Sequence, residues 1–357
     1  MAVVTPETRV VFAPQRVGEY ALAEVRSCIE WAGKGIRNGW PSIDATIKPL
    51  RPGNLCVIHA YTSNYKTGFM WAWARRIAEE IKAQKQHDLF VAYVSWEDTV
   101  EEVGLYDLAH ATRIDATEIQ DGRLDDGQLK RLETAAFQRG ALPVWFIGNS
   151  LAERKRQPRL TLSQVRDSLG WVEQHMGFKT AIVFLDYLNM MQPERDGAWK
   201  DNRRMDIMEL TFQSRDLGLA QGCPVVMGAQ SNRVSNTRAW KLPQRWDALE
   251  SSAIEQYCQL MLSLWRPALT EAEGTDLIGP DNKAVTPRLE VTQNLLIMGV
   301  NKQKRGEAGR WWPLWVDPAI NEIRPMTREA DAPPPRRNGS QRERAIAGVP
   351  DVEGLPL

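Results

Sequence analysis

Residues 55–78, LCVIHAYTSNYKTGFMWAWARRIA, carry the reading of this chain. The apolar run Leu55–Ala60 predicts a strand, a short polar turn follows through Tyr65, and Lys66-Thr67 open an amphipathic helix reaching about Gln84. Such a turn offers successive backbone N–H groups and a helix N-terminus to phosphate. The lysine ammonium then reaches the outer phosphates and the threonine hydroxyl binds Mg2+. The nucleotide-binding candidates are therefore Ala60, Tyr61, Thr62, Ser63, Asn64, Tyr65, Lys66 and Thr67. Against the pattern GxxxxGK[ST], Ala60 replaces the first glycine and Tyr65 the second. That second glycine serves a tightly curved backbone, and a bulky residue held in the left-handed region costs roughly 1–2 kcal/mol. The bland alternative is a surface Lys-Thr at a helix start, with Tyr65 an ordinary packing residue.

On either side of this stretch, apolar runs alternate with helical patterns. Further strands are expected at Phe90–Ser95, Pro143–Ile147, Ala181–Leu185, Pro224–Gly228 and Gln259–Trp265, and paired strands within Leu289–Lys302. Helical periodicity covers Glu19–Trp31, Val100–Ala111, Asp126–Arg139, Leu162–Met176 and Arg203–Gln221, with Thr161 and Gln164 spaced as a capping box. Near-continuous apolar strands alternating with helices long enough for crossovers give an α/β fold with a mostly parallel sheet covered on both faces. Residues 1–34 read as an arm and a helix, 35–326 as the main domain, and 327–357, rich in proline and charge, as a disordered tail.

Composition narrows the classes. Lys+Arg 45 against Asp+Glu 45 excludes a uniformly basic nucleic-acid coat, and 43% hydrophobic residues exclude wholesale disorder. The longest apolar stretches fall short of a membrane span, and the first residues lack a secretory h-region, so a cytoplasmic protein with no membrane partner is expected. Four cysteines without a CxxC pair, and four histidines without ligand spacing, point to neither disulfides nor zinc. Most of the fourteen tryptophans are expected in the core.

A phosphate-cradling fold that hydrolyses ATP needs one carboxylate for the metal's water shell and another to orient or deprotonate water. Asp186, in TAIVFLDYLNMM, ends an apolar strand at the edge where parallel sheets place ligands. Glu97, in VAYVSWED, does the same; its bland reading is a helix-capping acid. Two polar loops carry cations. SNRVSNTRAWKLPQRW supplies Arg233, Arg238, Lys241 and Arg245 among Trp240 and Trp246, and PERDGAWKDNRR supplies Lys200, Arg203 and Arg204. Basic residues interleaved with aromatics suit backbone tracking and base stacking on a single strand; solvated loops are the alternative.

These blocks together resemble the helicase domain of DnaB-type replicative helicases, hexameric RecA-like motors. GIRNGWPSID looks like the family's G-I-P-T-G-F-x-x-L-D, and RPGNLCVIHAYTSNYKT like its P-G-D-L-x-x-x-A-x-x-P-S-M-G-K-T. SWED is similar to S-L-E-M, FLDYLNMM to I-D-Y-L-Q-L-M, and PVVMGAQSNR to P-V-V-x-L-S-Q-L-N-R. LESSAIEQYCQLMLSLWRP and NKQKRGEAG resemble the later R-E-S-G-S-I-E-Q and K-Q-R-N-G-P-T-G blocks, in the family's order, from about Gly35 to Arg324.

The resemblance implies a RecA-like P-loop ATPase and DNA helicase using ATP and Mg2+. Lys66 and Thr67 would bind phosphates and metal, Glu97 would be the catalytic base, Asp186 the Walker B acid and second metal-holding residue, and Gln230 the γ-phosphate sensor. Lys302 and Lys304 fall on the family residues that reach a neighbouring subunit's nucleotide. Lys304 stands at the arginine finger and Arg305 one place later, and an ammonium supplies charge without the planar fork. The DNA-binding R-E-S-G appears as Leu249, Glu250, Ser251 and Ser252, without its arginine; Glu250 and Ser252 keep the matching positions. The implied partners are single-stranded DNA, further copies in a hexameric ring, and a helicase loader or primase. The chain is expected to lack room for the family's separate N-terminal domain, and Glu19–Trp31 takes the place of its linker helix. Two other readings stay open: a hydrolysis-impaired nucleotide-binding ring or scaffold that binds DNA, and a RecA- or RadA-like recombination ATPase.

Overall fold

The computed structural model describes residues 17–31, 35–152, 160–194, 203–232, 238–248, 251–304 and 306–326. Arg233, Glu250, Arg305, Lys200, the arm before residue 17 and the tail 327–357 lie outside the described residues, as does the side chain of Ser252.

Among the described residues nine strands form one sheet: β1 (Leu55–Ala60), β2 (Leu89–Ser95), β3 (Val144–Ile147), β4 (Lys179–Asp186), β5 (Val225–Gln230), β6 (Leu260–Trp265), β7 (Leu295–Gln303), β8 (Trp311–Asp317) and β9 (Glu322–Pro325). Their order is β3-β2-β4-β5-β1-β6-β7-β8-β9. The pairs from β3 across to β6 are parallel and those from β6 to β9 antiparallel. The helices are α1 (Val17–Trp31), α2 (Pro41–Asp44), α3 (Lys66–Ala83), α4 (Val100–Thr112), α5 (Ala116–Gln120), α6 (Asp126–Arg139), α7 (Leu162–Met176), α8 (Arg203–Ala220) and α9 (Ser251–Tyr257).

The central strands are apolar at nearly every position because both faces are covered. In β1, Cys56, Ile58 and Ala60 join one core with Phe69, Met70 and Trp73 of α3, while Leu55 and Val57 join the opposite core with Val165 and Leu169 of α7 and Ile207 and Leu210 of α8. A period of two therefore serves two hydrophobic layers at once. A third cluster beyond β6 gathers Trp240, Trp265, Leu277, Ile297 and neighbours.

Local sequence sets the helix ends. Reciprocal capping boxes start α4 (Thr99, Glu102), α6 (Asp125, Gln128) and α7 (Thr161, Gln164), and Gly177 at φ 73° ends α7 in the left-handed region.

Two expectations need correction. Leu289–Lys302 holds one strand, β7, which pairs with β6 on one side and β8 on the other; the tryptophans and Pro313 of β8 obscure its alternation in the sequence. Trp240 is not a free stacking platform: it is buried and packs edge-on against Trp265, with ring centroids 5.2 Å apart, and tilted against Trp311.

Candidate nucleotide site

β1 lies between β5 and β6, and the chain leaving it passes over β5 and β4 to reach β2. Such a reversal opens a crevice at the carboxyl ends of the strands, the usual ligand position in open α/β sheets. A cavity of about 380 Å³ occupies this place, lined by Ala60, Tyr61, Thr62, Ser63, Tyr65, Lys66 and Thr67, by Glu97 and Asp98 after β2, and by Gln230 at the end of β5.

The turn itself is tightly curved. Ser63 and Tyr65 have φ of 66° and 67°, and Tyr65 is the N-cap of α3. A tyrosine thus takes the left-handed conformation that the glycine it replaces would adopt freely. Its ring lies over Gly68, where an added Cβ would fall 2.6 Å from the ring, and its hydroxyl donates to Asn321 Oδ1 at 2.7 Å. Asn64, also a candidate, does not line this cavity. Its side chain accepts the Arg266 N–H at 2.7 Å and donates to the Thr62 carbonyl, anchoring the turn to the end of β6.

Lys66 Nζ donates to Asp186 Oδ1 at 2.7 Å, and the Tyr93 hydroxyl donates to Asp186 Oδ2 at 2.9 Å. The buried Asp186 carboxylate is thereby paired on both oxygens, as burial requires. Lys66 Nζ also sits 3.9 Å from the Tyr187 ring centre, and Gly228 leaves room for the lysine stem: a Cβ there would approach Lys66 Cδ to 3.2 Å. Gln230 Nε2 donates to Thr62 Oγ1 at 2.9 Å, and the Gln230 N–H donates to Asn189 Oδ1 at 3.1 Å. Side chains from β4 and β5 and from the turns that follow β1 and β4 therefore meet at one place.

Glu97 is exposed at the cavity rim, while Asp98 is partly buried; their N–H groups both reach Ser95 Oγ. Burial, and then the charges of Asp186, Glu97 and Glu102, push the Asp98 carboxyl up to about 6. Sequence reading singled out Glu97 and passed over Asp98, although SWED offers both. It also passed over Tyr93, Tyr187 and Asn321, whose roles depend on contacts distant in the chain.

The other candidates lie elsewhere. Lys302 Nζ donates to the Glu255 carbonyl, and Lys304 is exposed just beyond β7. Arg238 pairs with the buried Asp247, Lys241 with Glu271, and Arg245 with Glu255 at 3.5 Å; Trp246 is exposed beside Arg245. Arg203 donates to the Asn189 carbonyl at 2.6 Å, and Arg204 is exposed beside it on α8. Ser252 lies within α9.

Fold and site together define a RecA-like nucleotide-binding domain. Residues 35–317 match the family model described as DnaB-like helicase C terminal domain, and the chain belongs to that family. It is 27% identical over 243 residues to the replicative DNA helicase DnaB of Pasteurella multocida, covering 68% of this chain and 48% of that protein. To the replicative DNA helicase DnaB of Helicobacter pylori strain 26695 it is 27% identical over 271 residues, covering 76% and 51%. The chain thus spans about half the length of the curated relatives it matches. The solved structures that share the fold include two that cover most of this chain. The first, of an ATPase domain, has TM-score 0.69 and 19% identity, covering 88% of this chain and 100% of that one. The second, of a DnaB-like replicative helicase described with its primase interactions, has TM-score 0.70 and 18% identity, covering 88% and 68%. Membership in the family implies nucleotide binding. Among the described residues no helix is long and apolar enough to cross a membrane.

Proposed function

We propose that this chain is an ATP-dependent DNA helicase of DnaB type, whose domain 35–326 hydrolyses ATP and moves along single-stranded DNA as a ring, hexameric in the expected assembly, during replication in the cytoplasm. The observation that carries this is the meeting of Lys66, Asp186, Gln230 and Thr62 at one cavity beside Glu97. Lys66 holds the outer phosphates, and Glu97 at the rim accepts the proton of the attacking water. Gln230 exchanges its Thr62 contact for the terminal phosphate and so reports its presence along β5. The Thr67 hydroxyl and the Asp186 carboxylate are hard oxygen donors, few in number, a set that suits Mg2+ held mainly by phosphates and water. Mg2+ held there would supply neutralisation of phosphate charge.

The assembly reading rests on two features. Leu22, Val25 and Ile29 follow one helical stripe of α1 and are exposed, the pattern of a helix covered by another copy. Lys304 is exposed just beyond β7 with Arg305 next in sequence, and these two, with Lys302, are the residues proposed to reach the neighbouring subunit's nucleotide. Arg203, Arg204, Arg233, Arg238, Lys241 and Arg245, with Glu250 and Ser252, form the expected single-strand contact, and residues 1–34 act as arm and linker. A loader or primase completes the proposed partners. Tyr65 favours a second reading, a ring that binds nucleotide and DNA while hydrolysing poorly, because its strained backbone and bulky ring sit in the phosphate turn.

ATP turnover measured with and without single-stranded DNA, for the wild type and Glu97→Gln, separates them. Turnover that is stimulated by DNA and lost in Glu97→Gln supports the motor; nucleotide binding without turnover in either protein overturns it in favour of the scaffold.

A further inference from the structure

Below the phosphate turn a second group of polar side chains crosses the sheet, and the nucleotide chemistry above makes no use of it. His59 is fully buried in β1, with Nδ1 3.0 Å from Ser231 Oγ and Nε2 2.7 Å from Asn301 Nδ2. Asn301 Nδ2 also donates to the Pro243 carbonyl at 2.8 Å, and Asn301 Oδ1 accepts from the buried Ser263 hydroxyl at 3.2 Å. The proton positions follow from one fixed point. A carbonyl only accepts, so the Asn301 amide must present its NH2 group to Pro243 and hence to His59 Nε2. Nε2 is then the acceptor, Nδ1 carries the hydrogen, and Ser231 Oγ receives it. Burial pulls the ring's pKa down to about 3, so the ring is neutral near pH 7.

His59, Ser231 and Asn301 each adjoin a residue of the site. His59 precedes Ala60, the first residue of the phosphate turn, and Ser231 follows Gln230. Asn301 precedes Lys302, and Pro243 sits between Lys241 and Arg245 in the basic segment. In the strand register His59 stands between Ala229 of β5 and Ser263 of β6, so the chain of bonds runs across the strands rather than along one of them. A largely buried network of this kind couples its members, because displacing one leaves another without a partner at a cost in free energy.

We propose that His59 and Asn301 are positioning residues that join the basic segment around Pro243 to the Gln230–Thr62 contact, so that a single strand seated on that segment sets the geometry of the nucleotide site. This inference rests on the motor reading above. Neither residue lines the nucleotide cavity, so both act on it through Ser231 and Gln230.

The test uses the full chain and compares ATP turnover with and without an oligothymidine strand, together with strand affinity and melting temperature. Asn301→Ala is expected to keep DNA-free turnover and strand affinity within about twofold of wild type, while the stimulation by DNA falls at least about fivefold. Ser231→Ala, a smaller change at the far end of the network, is expected to lose stimulation in the same way and serves if Asn301→Ala does not fold. His59→Gln, which keeps a donor and an acceptor, should retain more stimulation than His59→Ala. Stimulation unchanged in folded Asn301→Ala and Ser231→Ala overturns the inference, as does a parallel fall of DNA-free and DNA-stimulated turnover, which marks a merely structural network. A wild type indifferent to DNA overturns the motor reading itself, and this inference with it.

Discussion

The Tyr65 hydroxyl donates to Asn321 Oδ1 at 2.7 Å across 256 positions of sequence, and both residues hold left-handed backbone, at φ 67° and 45°. One end of this bond is the last residue of the phosphate turn and the other is the turn between β8 and β9. The same Asn321 uses its carbonyl to accept from Arg75 of α3, at 3.2 Å. The β8–β9 turn thus braces the phosphate turn and its helix, and the tyrosine's side chain compensates the strain its backbone incurs.

Removing that side chain is expected to destabilise, although glycine suits the backbone better. Tyr65→Gly relieves about 1–2 kcal/mol of left-handed strain, but loses a part-buried aromatic ring, for which about 3 kcal/mol is typical. The net loss is about 1–2 kcal/mol. Tyr65→Phe isolates the hydroxyl and should cost about 1 kcal/mol. Thermal melts of the two variants check this, and a Tyr65→Gly protein more stable than wild type would refute the bracing role.

Gly68 depends on the same ring. An added Cβ would meet three Tyr65 ring atoms at 2.6–2.9 Å, so Gly68→Ala should cost about 1–3 kcal/mol and weaken nucleotide binding. In a Tyr65→Gly background the clash is gone, and Gly68→Ala should there be neutral or stabilising through helix propensity. The double-mutant cycle reads the coupling directly; additive effects would mean that the ring moves aside at no cost.

What the sequence made legible was the part governed by local rules. The polar turn after β1, its helix, the parallel strands and the Thr161–Gln164 capping box follow from apolar runs and short-range spacing, and Asp186 stood out as an acid at a strand end. The β8 strand was hidden because tryptophans and a proline break its alternation. Asp98 was overlooked beside Glu97 because exposure decides between adjacent acids, and exposure is tertiary. Trp240 was read as a platform because a tryptophan among arginines looks the same in sequence whether it faces solvent or, as here, Trp265 and Trp311. The His59 network had no local signal, since its members come from separate segments of the chain.

The Lys66–Asp186 pair binds stability to function. Asp186 is almost completely buried, and Lys66→Ala leaves it only the Tyr93 hydroxyl, so a loss of about 3 kcal/mol or more is expected together with loss of nucleotide binding. Adding Asp186→Asn removes the unpaired charge and should restore most of the melting temperature without restoring binding. Calorimetric melts beside titration with a fluorescent ATP analogue separate the two effects; unchanged nucleotide affinity in Lys66→Ala would sink the phosphate-turn assignment.

Asp98 should give stability a pH dependence of unusual sign for a carboxylate. In the unfolded chain it ionises near ~3.9, whereas in the folded protein its pKa is pushed up to about 6. Between those values the folded state holds a proton that the unfolded state releases, so this group's contribution falls as pH rises through that window and then levels off. Asp98→Asn should therefore melt above wild type at about pH 8, with the advantage shrinking toward about pH 5. An advantage that stays constant across the range would assign it to something other than the carboxyl.

Charge and stacking on the basic segment can be told apart at Arg245 and Trp246. The Arg245 guanidinium is about half exposed, 3.5 Å from Glu255, while the adjacent Trp246 indole is 59% exposed. Arg238 is a poorer probe, because its removal leaves the buried Asp247 without its ion-pair partner, with the Gln244 N–H still donating to it, and so disturbs the segment. If Arg245 meets a phosphate, Arg245→Ala should reduce the slope of log affinity against log salt for single-stranded DNA by about 0.7, the release of one counterion. If Trp246 stacks on a base, Trp246→Ala should weaken binding by about 1–3 kcal/mol at every salt concentration and leave the slope intact. Fluorescence anisotropy of a labelled oligothymidine over a salt series gives both quantities from one experiment. An unchanged slope in Arg245→Ala with unchanged affinity in Trp246→Ala would move the DNA contact away from this segment, toward Arg203 and Arg204 at the start of α8, where the Asn189 carbonyl already links Arg203 to the turn that holds the Gln230 N–H.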